Sequence, residues 1–461
     1  MNRRVAAAAA AVPSASVGRS PLIGDGGSRR TLLLAVGIIL VAKLVLYLLV
    51  LPTLMQRFST LWGIGPADNY DELATSIWLG HGYRFTAETA LTLMREPGYP
   101  YFLAALMHVF GNGNWPSIVA NLFFTSASAL LIANLSRSIS TRAGVALVAA
   151  LLFLLHPGIM IAELRSGVEV PFMLLLLCVF LAMRQALHSG KPLDFVKVGI
   201  VLGLTCYVRS TALLFPVCFV VQAALTERTW RALATSGVRT VTVVLTAMLV
   251  LTPWIVRNYG LVGQFIPTAT VAGVAMQAGN YICLHEDGKT SFRDLDNEAA
   301  RVRNLLAREQ GYQFKPGYYQ LFYASRDEVA FNSSLSHQVL QSYANSPKTL
   351  AKCATENLFN FWFRGKTWLA TIANVGIQLP YLLLALYGLR LGYRQADRVV
   401  LVQLLLFVGY TVAVYVPIHA QARYSVPLIP VLAIFAAIPI VRLWSRVDAT
   451  ETGAAPAPAA R

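Results

Sequence analysis

The sequence predicts an all-α polytopic membrane protein, a bundle of about ten spans with both termini cytoplasmic and a helical region on its outer face. Three observations carry that expectation. Of the 461 residues 56% are hydrophobic and only 13% charged, against about 25% charged in a soluble domain, and the mean hydropathy is +0.56. Apolar windows of the length that crosses a hydrocarbon core of about 30 Å, around 20 residues, recur from Thr31 to the C-terminus. The basic residues lie mostly in short loops between those windows, where they orient the protein. The formal charge of +16 therefore reads as topology, and no nucleic-acid partner is expected.

In chain order, residues 1–30 are rich in Ala, Ser and Gly and carry Arg3, Arg4, Arg19, Arg29 and Arg30, the composition of a disordered, basic, cytoplasmic tail. The window 31–52 is long and ends without a small-residue cleavage site, so it reads as a retained anchor rather than a signal peptide. Further spans are expected at 117–135, 144–162, 169–187, 194–208, 211–226, 239–256, 369–390, 399–418 and 425–444. These divide the chain into a membrane bundle over 31–256 with a first outer loop at 53–116, an outer helical region at 257–367, C-terminal membrane helices at 368–446 and a loose tail at 447–461. With the N-terminus inside, the loops SRSISTR, HSGKPLDFVK, ERTWR and RLGYRQADR and the segment RLWSR all fall on the cytoplasmic side. The expected location is the inner, or plasma, membrane, with the polar loops facing outward.

The region 257–367 is too polar to span, but it has helical signals. Ala299, Val302, Leu305 and Leu306 recur at helical spacing, with Asp294 or Asp296 as the cap, and Ser346 before Pro347 opens a second helix. Cys178, Cys206 and Cys218 fall in or near spans and read as core residues. Cys283 and Cys353 both fall in the polar region, where a disulfide is open to them if that region lies outside the cytoplasm. Lys43, in the middle of the first span, needs a partner. The seven histidines are scattered and no metal-ligand spacing is present, so no metal or cofactor is expected; the acidic cluster leaves a divalent cation open without supporting one.

Chemistry is expected to centre on Pro66–Pro100. That stretch carries Asp68, Asp71, Glu72, His81, Glu88, Arg95 and Glu96 between two apolar segments, and LATSIWLG within it has helical spacing. Glu163, Arg165, Glu169, Arg209, Arg257 and Arg423 stand at the outer ends of other spans, so a bundle can gather them at one cavity. Carboxylates beside arginines suit a reaction in which a hydroxyl loses its proton while a phosphate leaves: the carboxylate is the general base, and guanidinium groups stabilise the departing charge. Each such pair equally admits a packing role.

The order of motifs resembles the GT-C superfamily of polytopic glycosyltransferases, and within it the bacterial branch similar to protein O-mannosyltransferases and lipid A aminoarabinose transferases. The likeness rests on ADNYDELA after the first span, then LGHGYRF, MREPGYPYFLA, SGVEVPFMLLLL, LTCYVRSTALLFP, TPWIVRNYG with QAGN, and HAQARYSVPLIP, from about Leu51 to Pro430. The resemblance implies inverting transfer of a sugar from a polyprenyl-phosphate donor to a lipid, glycan or protein acceptor on the outer face. Asp68 is then the base, with Asp71 as the alternative register, and Arg95, Arg257 and Arg423 contact the donor phosphate. Glu169 is a second acid for acceptor or sugar hydroxyls. Glu96, Tyr99, Arg209, Asn280 and Tyr424 join it in binding substrate, and His81 is a minor candidate. Two other classes compete: a transporter or flippase for a lipid-linked substrate, against which the lack of repeat symmetry weighs, and a non-catalytic envelope assembly protein.

Overall fold

The computed structural model describes residues 26–52, 68–142, 144–226 and 229–451. Most of the expected N-terminal tail, residues 53–67 of the first loop, and the end of the C-terminal tail lie outside them. Helix α1 (Gly26–Val45), extended by a π turn over Leu46–Val50, leads to α2 (Tyr70–Trp78), α3 (Gly98–Phe110) and α4 (Trp115–Ile139). Next come α5 (Val145–Leu154), α6 (Pro157–Glu163), α7 (Glu169–Ser189), α8 (Pro192–Val208) and α9 (Val217–Thr226). The 33-residue α10 (Trp230–Val262) is followed by the polar region, which holds α11 (Ala272–His285), α12 (Phe292–Glu309), α13 (Ser325–Asn345) and α14 (Pro347–Phe363). Between α12 and α13 a small antiparallel pair, β1 (Phe314–Lys315) and β2 (Leu321–Phe322), sets Phe314 opposite Phe322. Helices α15 (Trp368–Gly392), α16 (Arg398–Tyr415) and α17 (Ile429–Glu451) close the bundle.

The all-α membrane bundle matches the expectation, with a different span count. Among the described residues seven helical stretches are long and apolar enough to cross, or eight if α5 and α6, bent by 55°, form one span. The windows 194–208 and 211–226 fall short because the chain leaves helical geometry at Arg209. This leaves α8 at 17 residues, about 25 Å of rise, and a short apolar stretch after it. The α5–α6 break has a local cause. Pro157 has no N–H to donate back along the helix, and the His156 ring nitrogen accepts from Gly158 N–H as a cap instead. The Leu154 carbonyl left at the break accepts from Lys43 Nζ at 2.7 Å.

That lysine is the mid-span charge that needed a partner. Lys43 Nζ lies 2.8 Å from both Glu163 oxygens, and Tyr47 at 2.8 Å and Thr125 at 2.7 Å complete the carboxylate. All four side chains are buried, so Glu163 serves packing here.

Burial follows sequence. The apolar run LIPVLAIFAAIPIV has no polar face and becomes the central helix α17, 78% buried over its span, whereas the spans of α1 and α15 are 17% buried and turn most of their apolar surface outward. In the polar region Ser346 caps α14 as expected, while α12 is capped by Ser291 rather than by Asp294 or Asp296. Ser291 Oγ accepts from the Asp294 N–H and donates to its carboxylate at 2.6 Å. A disulfide joins Cys283 of α11 to Cys353 of α14.

Candidate active site

Helix ends from distant parts of the chain converge on a cavity of about 200 Å³. Asp68 enters it from the turn before α2, where Asp68 (φ 58°) and Asn69 (φ 61°) both take the left-handed conformation. Among non-glycine residues Asn and Asp tolerate this best, and strain of this kind collects at functional sites. The turn aims the carboxylate at Arg423, which begins the approach to α17: Nη1 and Nη2 donate to the two oxygens at 2.9 and 3.1 Å. Arg95 stands 3.8 Å from the same carboxylate. It donates to the Tyr319 hydroxyl, and its guanidinium faces the Tyr70 and Tyr319 rings at 5.4 and 4.8 Å.

Arg209 reaches the cavity from the end of α8, its guanidinium over the Tyr415 and Tyr424 rings at 5.4 and 5.3 Å. Its turn is fixed by Glu96, whose carboxylate accepts from the Ser210 N–H at 2.8 Å. Two glycines let backbone come this close. A Cβ at Gly98 would lie 2.8 Å from the Tyr207 carbonyl oxygen, and one at Gly279 would lie 2.0 Å from that of Ile418, drawing α11 onto the turn that carries Arg423. Ala272, Ala275 and Ala278 of α11 and Val414 of α16 give the cavity an apolar wall.

The electrostatics of the cavity are set by arginines gathered around the Asp68 carboxylate. Burial pushes the Asp68 carboxyl up, but Arg423, Arg95 and Arg209 outweigh it and hold the group well below the usual carboxylate range. His419, at the cavity edge, is pushed down to about 3 by burial and by Arg423 and Arg303, so it is a neutral ring at ordinary pH. Burial raises the Tyr319 hydroxyl, which stays a donor.

Of the residues expected from sequence, Asp68, Arg95, Glu96, Arg209, Arg423 and Tyr424 line this cavity. Glu169 lines an adjoining chamber of about 110 Å³ that shares Arg423. The others stand apart. Asp71 borders a small separate void near Ser117 and Ser166, and burial raises its carboxyl. Arg257 lies over the Trp254 ring at 4.3 Å and donates to the Thr92 carbonyl at 2.9 Å, which ties the first loop to α10. Tyr99 is buried edge-on against Tyr70, His81 is exposed just beyond α2, and Asn280 on α11 borders neither cavity. Sequence reasoning missed Tyr318, Tyr319 and His419. The paired tyrosines of GYYQ and the histidine of HAQARY were the available signals. Among the described residues no three His, Cys, Asp or Glu side chains group as a metal site.

The fold is thus a bundle of apolar helices beside a partly helical polar region, with a cavity in which a carboxylate stands among arginines. Residues 95–256 match the family model for dolichyl-phosphate-mannose-protein mannosyltransferases. Among solved structures the chain is similar to the archaeal oligosaccharyltransferase AglB from Archaeoglobus fulgidus, a complex with an inhibitory peptide and a dolichol-phosphate. Identity is 12%, coverage 94% of this chain and 53% of that one, and the TM-score 0.53. A structure of the Archaeoglobus fulgidus oligosaccharyltransferase tethered with an acceptor peptide gives 13%, 93%, 52% and 0.49. ArnT from Cupriavidus metallidurans bound to undecaprenyl phosphate gives 12%, 93%, 80% and 0.40. The chain spans about half the length of the oligosaccharyltransferases it matches. No curated protein matches the sequence. The resemblance read from the motifs thus holds: the family match and the fold are both those of membrane glycosyltransferases.

Proposed function

We propose that the protein transfers a sugar from a polyprenyl-phosphate donor to an acceptor hydroxyl, with inversion, in a single displacement. The observation that carries this reading is the meeting of Asp68 with Arg95, Arg209 and Arg423 in one cavity whose other wall is apolar. The arginines receive the donor phosphate, and the lipid chain stays in the bilayer. The acceptor oxygen attacks the anomeric carbon while its proton passes to Asp68. The bond from that carbon to the phosphate oxygen breaks, its electron pair leaving with polyprenyl phosphate, whose charge the guanidinium groups stabilise. Tyr319 and Glu96 hold Arg95 and the Arg209 turn in place for this. The reaction needs no metal or cofactor in this reading.

The orientation with this cavity outside the cytoplasm is supported by two features. Basic loops gather at the opposite ends of the helices, and the Cys283–Cys353 disulfide suits an oxidising compartment. The test uses purified protein in lipid bilayers with a panel of synthetic polyprenyl-phosphate sugars, wild type beside Asp68→Asn. Release of polyprenyl phosphate by the wild type and not by a folded variant is expected. Undiminished release by the variant would overturn Asp68 as the base.

A further inference from the structure

The second chamber has a composition of its own. Arg165, from the turn between α6 and α7, and Arg364 and Lys366, from the turn between α14 and α15, line it together with Arg423; Glu169 is its one acid. Arg364 pairs with Glu286 at 2.8 Å and lies over the Trp368 ring at 3.9 Å, and Arg423 holds Asp68. Glu169 offsets Arg165. Lys366 forms no ion pair with a carboxylate among the described residues; burial, Arg165 and Arg423 oppose its charge, and Asp68 favours it from a distance. The described lining of the chamber therefore carries more cations than acids. Two buried polar atoms on its lining also lack partners, Gln378 Oε1 and Arg423 Nε. Cations and an unused guanidinium N–H lining one concave space are what an oxyanion ligand satisfies.

Resting on the donor assignment above, we infer that this chamber is a second anion site, separate from the donor phosphate, and that it binds a phosphate group carried by the acceptor. The donor occupies the cavity that has Asp68 and the apolar wall. Arg423 is the only cation shared by the two spaces, so an acceptor anchored through its phosphate lies on the far side of the guanidinium that holds the base. The acceptor class is thus a phosphorylated glycan or lipid headgroup rather than a neutral one.

The experiment titrates the full chain, in bilayers of uncharged lipid, with inorganic phosphate followed by phosphorus NMR line broadening, and separately with polyprenyl phosphate followed by tryptophan fluorescence. Saturable phosphate binding is expected to persist when polyprenyl phosphate is bound. It should weaken at least ten-fold in Arg165→Gln/Lys366→Gln, with polyprenyl phosphate affinity unchanged. Lys366→Gln alone, at the exposed rim, covers the case in which the double variant does not fold. Glycerol phosphate, a monoester, should compete with inorganic phosphate. Displacement of phosphate by polyprenyl phosphate, unchanged phosphate binding in the variants, or failure of the monoester to compete would each overturn the inference. If polyprenyl phosphate binds nowhere while phosphate behaves as expected, the donor assignment fails and the anion site stands.

Discussion

One guanidinium, that of Arg423, holds both oxygens of the Asp68 carboxylate, across 355 positions of sequence. A carboxylate paired this way is a weak base. In the proposed reaction a donor phosphate would compete for the same arginine, and drawing Arg423 toward it would leave Asp68 freer to accept a proton. Under that proposal, binding of donor and activation of the base would be one event. Asp68→Asn is expected to lower transfer by about 10²–10⁴-fold, the range for loss of a general base, with the fold kept. Arg423→Lys retains charge without the two-pronged grip, so donor KM should rise together with a fall in kcat. Steady-state release of polyprenyl phosphate checks both, and an Arg423→Lys enzyme with wild-type kinetics would argue against the coupling.

Much of this site was legible in sequence, for a physical reason. Charges at the ends of apolar spans are costly unless used, so Asp68, Arg95, Arg209 and Arg423 stand out against their neighbours. What stayed hidden was pairing. Nothing in the spacing says that Glu163 belongs to Lys43, or that Arg257 serves the Thr92 carbonyl rather than a phosphate, because those partners lie on other helices. Tyr319 escaped notice because it sits in a polar loop where an aromatic has no periodic signature. The number of candidate spans among the described residues differs from the expected ten where helices are short. Hydropathy registers an apolar run, but the break at Arg209 and the Pro157 bend depend on local backbone geometry.

The Lys43–Glu163 pair gives a test of packing apart from chemistry. Removing one partner leaves the other charge buried and uncompensated, a cost of about 3–5 kcal/mol. Lys43→Met should therefore destabilise the bundle strongly. Lys43→Met/Glu163→Gln should recover much of the loss, since the amide oxygen accepts from one of the Tyr47 and Thr125 hydroxyls and its NH2 donates to the other. Thermal unfolding in bilayers compares the three proteins, and equal melting of the single and double variants would sink the assignment.

The disulfide ties α11, which supplies the apolar wall, to α14, which leads to Arg364. It closes a loop of 70 residues, and its loss should cost about 2–5 kcal/mol. Cys283→Ser/Cys353→Ser is expected to melt lower and to transfer more slowly through a looser wall. Alkylation before and after reduction, read by mass spectrometry, should show two of the five cysteines protected until reduced. Full alkylation without reductant would mean the bond is absent and would remove one support for the orientation.

His419 sets a pH dependence of stability whose sign follows from its burial. In the fold its ring titrates at about 3, whereas in the unfolded chain it titrates near 6.5. Between those values the unfolded state binds more protons, so stability rises with pH across the window. At pH 5 the difference amounts to about 2 kcal/mol against the native state, and it vanishes above about pH 6.5. Asp68 acts in the same direction but lower: its depressed carboxyl contributes stability that is present above about pH 4 and is lost only in stronger acid. Melting temperature measured from pH 7.5 down to 4.5 should therefore fall in the wild type, and the fall should be much shallower in His419→Gln, whose amide preserves a polar contact for Gln421. A parallel decline in both proteins would place the acid sensitivity elsewhere and remove His419 as its source.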